Sequence, residues 1–348
     1  MSQTNFFKKM LKEQHTYIVA ELSANHNSSI ERAEAIIKAA ADAGADAIKL
    51  QTYTADSLTI PSSQPYFKIE GTSCWAGRTF YDLYEEAHMP WDWHQHLKTL
   101  ANGLGMDCFS TPFDNTAVDY LMDVGVPCFK VASFEVIDIP LLKKIASTEL
   151  PVIMSTGMAT LSEIHEAVST LREGGCPEIV LLKCTSAYPA LPEEANLLTI
   201  PNLAQTFNCP VGLSDHTLGS AVAVAAVSLG AKVVEKHVTL SRADGGPDSS
   251  FSMEPHEFKQ LVQDIRVVEK ALGHVNYELT EKEKETVAVR RSLFVVKDMK
   301  KGELFTSQNV RSIRPGNGLH PRYLETVIGR KASTDLEMGT PVSWDILH

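Results

Sequence analysis

Two histidines, His216 and His237, each close a short apolar run, VGLSDHT and VVEKHVTL. Between them the alanine-rich span AVAVAAVSLGA predicts a buried helix ended by Gly230. Such a strand–helix–strand unit places both imidazoles at the carboxyl ends of neighbouring parallel strands, where α/β barrels and sheets carry their active sites. Converging imidazoles there are a candidate site for a divalent metal with open positions. Two hydrogen-bonded loop histidines are the alternative.

Other apolar runs end in equally reactive residues. Glu21 is a candidate acid/base. Lys49, Lys130 and Lys183 interrupt strand-like runs, where an unpaired ammonium is costly. Alternation along the strands should aim several of them into one mouth beside Gln51, Thr111, Ser133, Ser155, Ser186, Tyr188 and Ser214. That pocket suits a small, multiply charged anion such as a phosphorylated carboxylate. Pairing of each lysine with a carboxylate, Glu21 or Glu235, is the alternative. A metal beside an anion site points to Lewis-acid activation of a carbonyl. The residues alone leave open a condensation of a phosphorylated acid with a carbonyl compound or a phosphosugar aldolase-type reaction.

The elements that must position these residues are regular. Eight near-continuously apolar runs, beginning TYIVAEL and ADAIKLQT and ending VGLSDHT and VVEKHVTL, alternate with helical stretches. Runs without period-two alternation are strands buried on both faces. Eight such units predict an α/β fold, a closed (β/α)8 barrel. The rhythm breaks between Tyr53 and Trp93 in an aromatic-rich insertion, either a lid or binding loop or a purely structural cover. From Ser292 short β-like runs (SLFVV, VRSIR, TPVSW) predict a second, small β-rich domain. The expected organisation is a catalytic barrel over 1–275, a linker over 276–291 and the small domain over 292–348.

Composition narrows the function classes. A formal net charge of −11 with no basic block argues against a nucleic-acid partner. The six cysteines are scattered, without a CxxC pair, and Cys108, Cys128 and Cys184 read as small buried hydrophobes. This usage fits a reducing cytoplasm. The amino terminus lacks the apolar core of a signal peptide, and no run approaches membrane-spanning length.

Taken together, VAELSANHN, IKLQT, FSTPF, FKVAS, MSTGM, LLKCTSAYP, GLSDHT, VEKHVT and GPDSSFS closely resemble, in this order, the sialic-acid synthase family. The tail RRSLFVVKDMKKGELFTSQNVRSIRPGNGL resembles the antifreeze-like (SAF) domain of these synthases. The resemblance implies condensation of phosphoenolpyruvate with an N-acylated amino-hexose, giving a nine-carbon 2-keto acid and phosphate with C–O cleavage. It implies a Mn²⁺ or Mg²⁺ requirement, with His216 and His237 as metal ligands and Glu21 as acid/base. By the same motifs Lys49, Thr111, Lys130, Ser133, Ser155 and Ser214 would hold phosphoenolpyruvate, while Gln51, Tyr188 and Asp248 would face the sugar. Arg314 would reach a partner's barrel mouth in a domain-swapped homodimer.

Two departures resemble the pseudaminic-acid synthase branch: Ser186 where many of these synthases carry asparagine, and the ELSANHN loop. The segment GTSCWAGRTFYDLYEEAHMPW points the same way. The acceptor implied there is 2,4-diacetamido-2,4,6-trideoxy-altropyranose, an N-acetylated deoxy-hexose whose lower polarity suits an aromatic insertion. Legionaminic- or N-acetylneuraminic-acid synthesis is the alternative within enzymes. A non-catalytic carbohydrate- or ice-binding protein is the alternative outside them.

Overall fold

The computed structural model describes residues 3–12, 15–71 and 75–348; Thr72, Ser73 and Cys74 of the aromatic insertion fall outside the described residues. Eight parallel strands close into a barrel in chain order. They are β1 (Tyr17–Glu21), β2 (Ala47–Thr52), β3 (Asp107–Pro112), β4 (Phe129–Val131), β5 (Val152–Ser155), β6 (Ile179–Cys184), β7 (Val211–Asp215) and β8 (Val233–His237). β8 pairs back on β1, bringing His237 beside Glu21. The predicted (β/α)8 barrel is thus the observed one.

Helices sheathe the strands, as their uninterrupted hydrophobicity requires. Their ends follow local chemistry. Asp114 caps Asn115–Val124 by accepting from Thr116 N–H and Ala117 N–H, and Thr160 with Glu163 forms a capping box on Leu161–Glu173. The alanine-rich helix Ala221–Ser228 departs from expectation. It buries Ala223, Ala226 and Val227 but leaves Ala221 and Ala225 exposed, because only one side meets the barrel and the helix Pro255–Leu272.

Strand register decides which side chains enter the barrel. Val19, Ala47, Phe109, Cys128, Ile153, Val180, Leu182 and Val233 pack as its apolar interior. Tyr17 lies below them, and Phe6, Phe7 and Met10 of the helix Gln3–Met10 cover the amino-terminal end. Two residues further on, with the same parity, come Glu21, Lys49, Thr111, Lys130, Ser155, Cys184, Ser214 and Glu235. A polar layer therefore sits directly on a packed apolar plug. Lys183 is one residue out of phase. It pairs in register with Leu213 of the outer, helix-facing core, so it points away from the mouth. Its ammonium is satisfied by Cys184 O at 2.7 Å and Thr185 Oγ1 at 3.3 Å. The expectation that it joins Lys49 and Lys130 is corrected here.

The chain forms two compact units, one up to Gly273 and one from His274 to His348. The second is built on an antiparallel pair, β9 (Ser292–Val295) and β10 (Val310–Ile313), around Leu293, Val295, Phe305, Val310, Val327 and Val342. The stretch expected as a linker carries a short helix, Glu281–Thr286.

Candidate active site

The lysines resolve both readings of the sequence at once. Lys49 and Lys130 point into the mouth, and carboxylates hold them there. Lys49 Nζ lies 2.9 Å from Glu21 Oε2, 3.6 Å from Glu235 Oε1 and 3.3 Å from Thr111 Oγ1. Lys130 Nζ donates to Ser155 Oγ at 2.7 Å and lies 3.8 Å from Glu235 Oε1, which also accepts from Ser214 Oγ at 3.1 Å. All of these side chains are buried, so pairing offsets desolvation that neither charge alone could bear.

The two carboxylates are driven apart. Burial pushes Glu21 up to about 7, against the lowering effects of Lys49 and of the Gln51 amide that donates to it at 2.9 Å. Burial would raise Glu235 too, but Lys130 and Lys49 outweigh it and hold that carboxyl below its ordinary value. Unequal carboxylates in one mouth divide the labour of proton donor and fixed anion. Two ammonium groups then face one ionised carboxylate and one near half-titration at neutral pH, which leaves room for an anion.

The imidazoles lie beside this layer, with ring centroids 5.3 Å apart. His216 Nδ1 donates to Thr185 O at 2.8 Å; burial would lower this ring, but Cys184 and Thr185 O outweigh it and hold it above its ordinary value. His237 is driven well below its ordinary value, first by burial and then by His216 and the lysines, so it is neutral. Its Nδ1 is buried without a hydrogen-bond partner among the described residues. Two adjacent imidazoles, one with an unsatisfied nitrogen, could together hold a divalent metal ion once the His216 ring is deprotonated. Among the described residues no group of three His, Cys, Asp or Glu side chains could hold a metal, so water or substrate would complete the coordination.

Loops add the remaining residues. Ser133 Oγ accepts from Gly157 N–H at 3.0 Å. A Cβ on Gly157 would fall 2.3 Å from Ser186 Oγ and 2.8 Å from Ser133 Oγ, so a side chain there would displace both hydroxyls. Tyr188 lies against His216 with centroids 4.3 Å apart, and Phe251 lies 5.1 Å from both Tyr188 and His237. Trp75, from the aromatic insertion, packs tilted against Tyr188 with centroids 5.3 Å apart and donates its indole N–H to Pro247 O at 2.8 Å. The insertion therefore reaches the mouth. Asp248 accepts from Ser23 Oγ and from Ala24 N–H.

Glu21, Lys49, Gln51, Thr111, Lys130, Ser133, Ser155, Ser186, Tyr188, Ser214, His216, His237 and Asp248 thus all lie at the carboxyl-terminal end of the barrel. Arg314 belongs to the second unit, where it is exposed. Three residues escaped the sequence reading. Glu235 entered it only as a lysine partner. Cys184, read as an inert hydrophobe, has its Sγ 3.8 Å from His216 Nδ1; burial raises its thiol, but His216 outweighs that and brings it to about 7. Glu135 has a buried carboxylate oxygen without a partner among the described residues, and burial pushes it up to about 7 despite Lys130. Glu235 and Cys184 share the parity of the apolar interior, the one signal that could have placed them.

A packed (β/α)8 barrel whose mouth joins paired lysines, unequal carboxylates and two imidazoles has the arrangement of a barrel enzyme's active site. The chain belongs to the NeuB family, whose model matches residues 36–277, and a SAF domain matches residues 290–347. The resemblance read from the motifs stands at both ends of the chain. It is 44% identical to the pseudaminic acid synthase of Campylobacter jejuni subsp. jejuni (strain 81-176), covering 94% of this chain and 95% of that one. It is 37% identical to the N,N'-diacetyllegionaminic acid synthase of Legionella pneumophila, covering 94% of each. Among solved structures it is similar to the N-acetylneuraminic acid (sialic acid) synthetase of Leptospira borgpetersenii in complex with citrate. That similarity has a TM-score of 0.69 and 33% identity, over 78% of this chain and 90% of that one.

Proposed function

We propose that this chain condenses phosphoenolpyruvate with 2,4-diacetamido-2,4,6-trideoxy-altropyranose to give pseudaminic acid and inorganic phosphate. The observation that carries the chemistry is the polar layer itself: two ammonium groups, two unequal carboxylates and two adjacent imidazoles on adjoining strand ends of one mouth. The choice of acceptor rests on the higher identity to a pseudaminic acid synthase, 44% against 37% for a legionaminic one, and on the apolar wall of Trp75, Tyr188 and Phe251 beside the imidazoles. Such a wall suits a sugar without a 6-hydroxyl.

In this reading Lys49 and Lys130 neutralise the carboxylate and phosphate of phosphoenolpyruvate, with Thr111, Ser133, Ser155 and Ser214 as hydrogen-bond partners. Gln51, Ser186, Tyr188 and Asp248 orient the sugar so that its aldehyde meets C3 of phosphoenolpyruvate. Glu21, half-protonated near pH 7, gives a proton to the aldehyde oxygen as the C–C bond forms. Water adds at C2, and breakage of the C–O bond releases phosphate. His216 and His237 would hold Mn²⁺ or Mg²⁺, which when bound supplies Lewis-acid polarisation of the aldehyde.

Arg314 belongs to the second unit and is exposed, which suits a residue contributed to a partner's mouth in a domain-swapped homodimer. The barrel loops after β4 to β7 expose Phe134, Met158, Leu191, Leu198 and Leu218, an apolar rim that a second copy would cover. The division into catalytic barrel, linker (276–291) and SAF domain (292–348) follows the same reading. Free buried Cys108, Cys128, Cys176 and Cys184 fit a cytoplasmic enzyme, and among the described residues no helix is long and apolar enough to cross a membrane.

Phosphate release from phosphoenolpyruvate, measured with the sugar present, tests the chemistry. Release that requires the sugar, stops with a chelator and returns with Mn²⁺ is expected. Sugar-independent release, or none under any metal, would favour the non-catalytic alternative.

A further inference from the structure

Ser23 has a backbone that serine rarely adopts. Its φ is +51°, in the left-handed region that glycine occupies without cost and other residues occupy only when something holds them there. A glycine would build this turn more easily, so the serine gains only what its hydroxyl does. That hydroxyl donates to Asp248 Oδ2 and lies 3.4 Å from Gln51 Nε2. Gln51 in turn donates to Glu21 at 2.9 Å. The chain Glu21–Gln51–Ser23–Asp248 is therefore continuous, and Ser23 joins the proton donor's partner to a carboxylate carried by a different loop.

The two loops are fitted to each other over several residues. Ala24 N–H donates to Asp248 Oδ2 at 3.3 Å, and Asn27 Nδ2 donates to Gly245 O at 3.1 Å. Gly246 has a φ of +112°, which favours glycine, and a Cβ there would fall 2.2 Å from Asn27 Oδ1 and displace that amide. The Ser23 hydroxyl stands at the end of this seam nearest the mouth and is itself buried.

We infer that Ser23 is a positioning residue for the sugar: its hydroxyl locks the Asp248 carboxylate and the Gln51 amide into one preorganised edge that receives the hydroxyl and acetamido groups of the acceptor. The inference rests on the synthase reading above. Among the described residues the Ser23 hydroxyl bonds Asp248 and Gln51 and neither lysine, so phosphoenolpyruvate binding should not depend on it.

Ser23→Gly in the full-length chain relieves the backbone and deletes the hydroxyl. The expected result is a KM for the sugar raised about tenfold, as for loss of one hydrogen bond to a charged group. The KM for phosphoenolpyruvate should stay within about twofold, and the melting temperature should be unchanged or higher. Ser23→Ala keeps the backbone cost and loses the hydroxyl; it should show the same rise in sugar KM with a lower melting temperature. An unchanged sugar KM in Ser23→Gly, or an equal rise for both substrates, overturns the inference. The variants are read on whichever acceptor the unmodified chain turns over, so a wrong choice of sugar shows in that chain while the role of Ser23 is still decided.

Discussion

Glu21 and Glu235 face the same lysine, yet the barrel gives them opposite tendencies. Glu21 is raised to about 7, chiefly by burial, whereas Glu235 is held low by Lys130 and Lys49. If protonated Glu21 is the donor, the dependence has a definite sign. Activity is full below about pH 7 and is lost as pH rises through it, because deprotonation removes the donor. A pH profile of kcat/KM for the sugar should show this falling limb, and Glu21→Gln should lower kcat by about a hundredfold or more and abolish the limb. His237→Ala should cut phosphate release by about a thousandfold while costing about 1–3 kcal/mol of stability, read by denaturant titration. The ring supports aromatic neighbours, but its Nδ1 makes no hydrogen bond that folding would miss. A variant that unfolds outright would mark His237 as a core histidine. Side-chain types at strand ends were legible in the sequence because lysines, carboxylates and histidines are costly inside apolar runs. Their direction was less legible. Lys183 and Lys49 look alike in sequence, and only cross-strand register separates outward from inward. Cys184 was missed because its contact with His216 crosses between strands.

At the scale of elements, eight strands and their helices were read correctly because burial on both faces leaves an unmistakable apolar run. The helix Ala221–Ser228 was read as fully buried because alanine and valine carry no marker for a solvent face. The aromatic insertion was ambiguous, since its destination depends on long-range packing that periodicity does not encode. It carries two short helices, Ala55–Leu58 and Phe80–Ala87, and delivers Trp75 onto Tyr188 and near Phe251. This placement favours a binding element over a remote cover. Trp75→Ala should lower kcat/KM for the 6-deoxy sugar about tenfold, leave the KM for phosphoenolpyruvate within about twofold and leave thermal stability nearly unchanged. Equal losses for deoxy and 6-hydroxylated acceptors would show that the indole supports the loop without selecting the sugar.

For the whole molecule, the two units pose a question of assembly. Arg314 is exposed on one unit, while the lysines, carboxylates and imidazoles lie on the other. Mixing subunits tests the swap directly. His237→Ala spoils a barrel and Arg314→Ala spoils a contribution to a barrel, so each variant alone should be weak. In a swapped dimer the mixture forms one intact site per heterodimer and regains activity; without a swap it stays as weak as its components. The central claim, condensation of phosphoenolpyruvate with a diacetamido deoxy-sugar, is tested most directly by mass spectrometry of products from an acceptor panel. The account predicts a nine-carbon 2-keto acid from 2,4-diacetamido-2,4,6-trideoxy-altropyranose with phosphate released in equal amount. Turnover of N-acetylmannosamine or the legionaminic precursor, with none of the altro sugar, would contradict it.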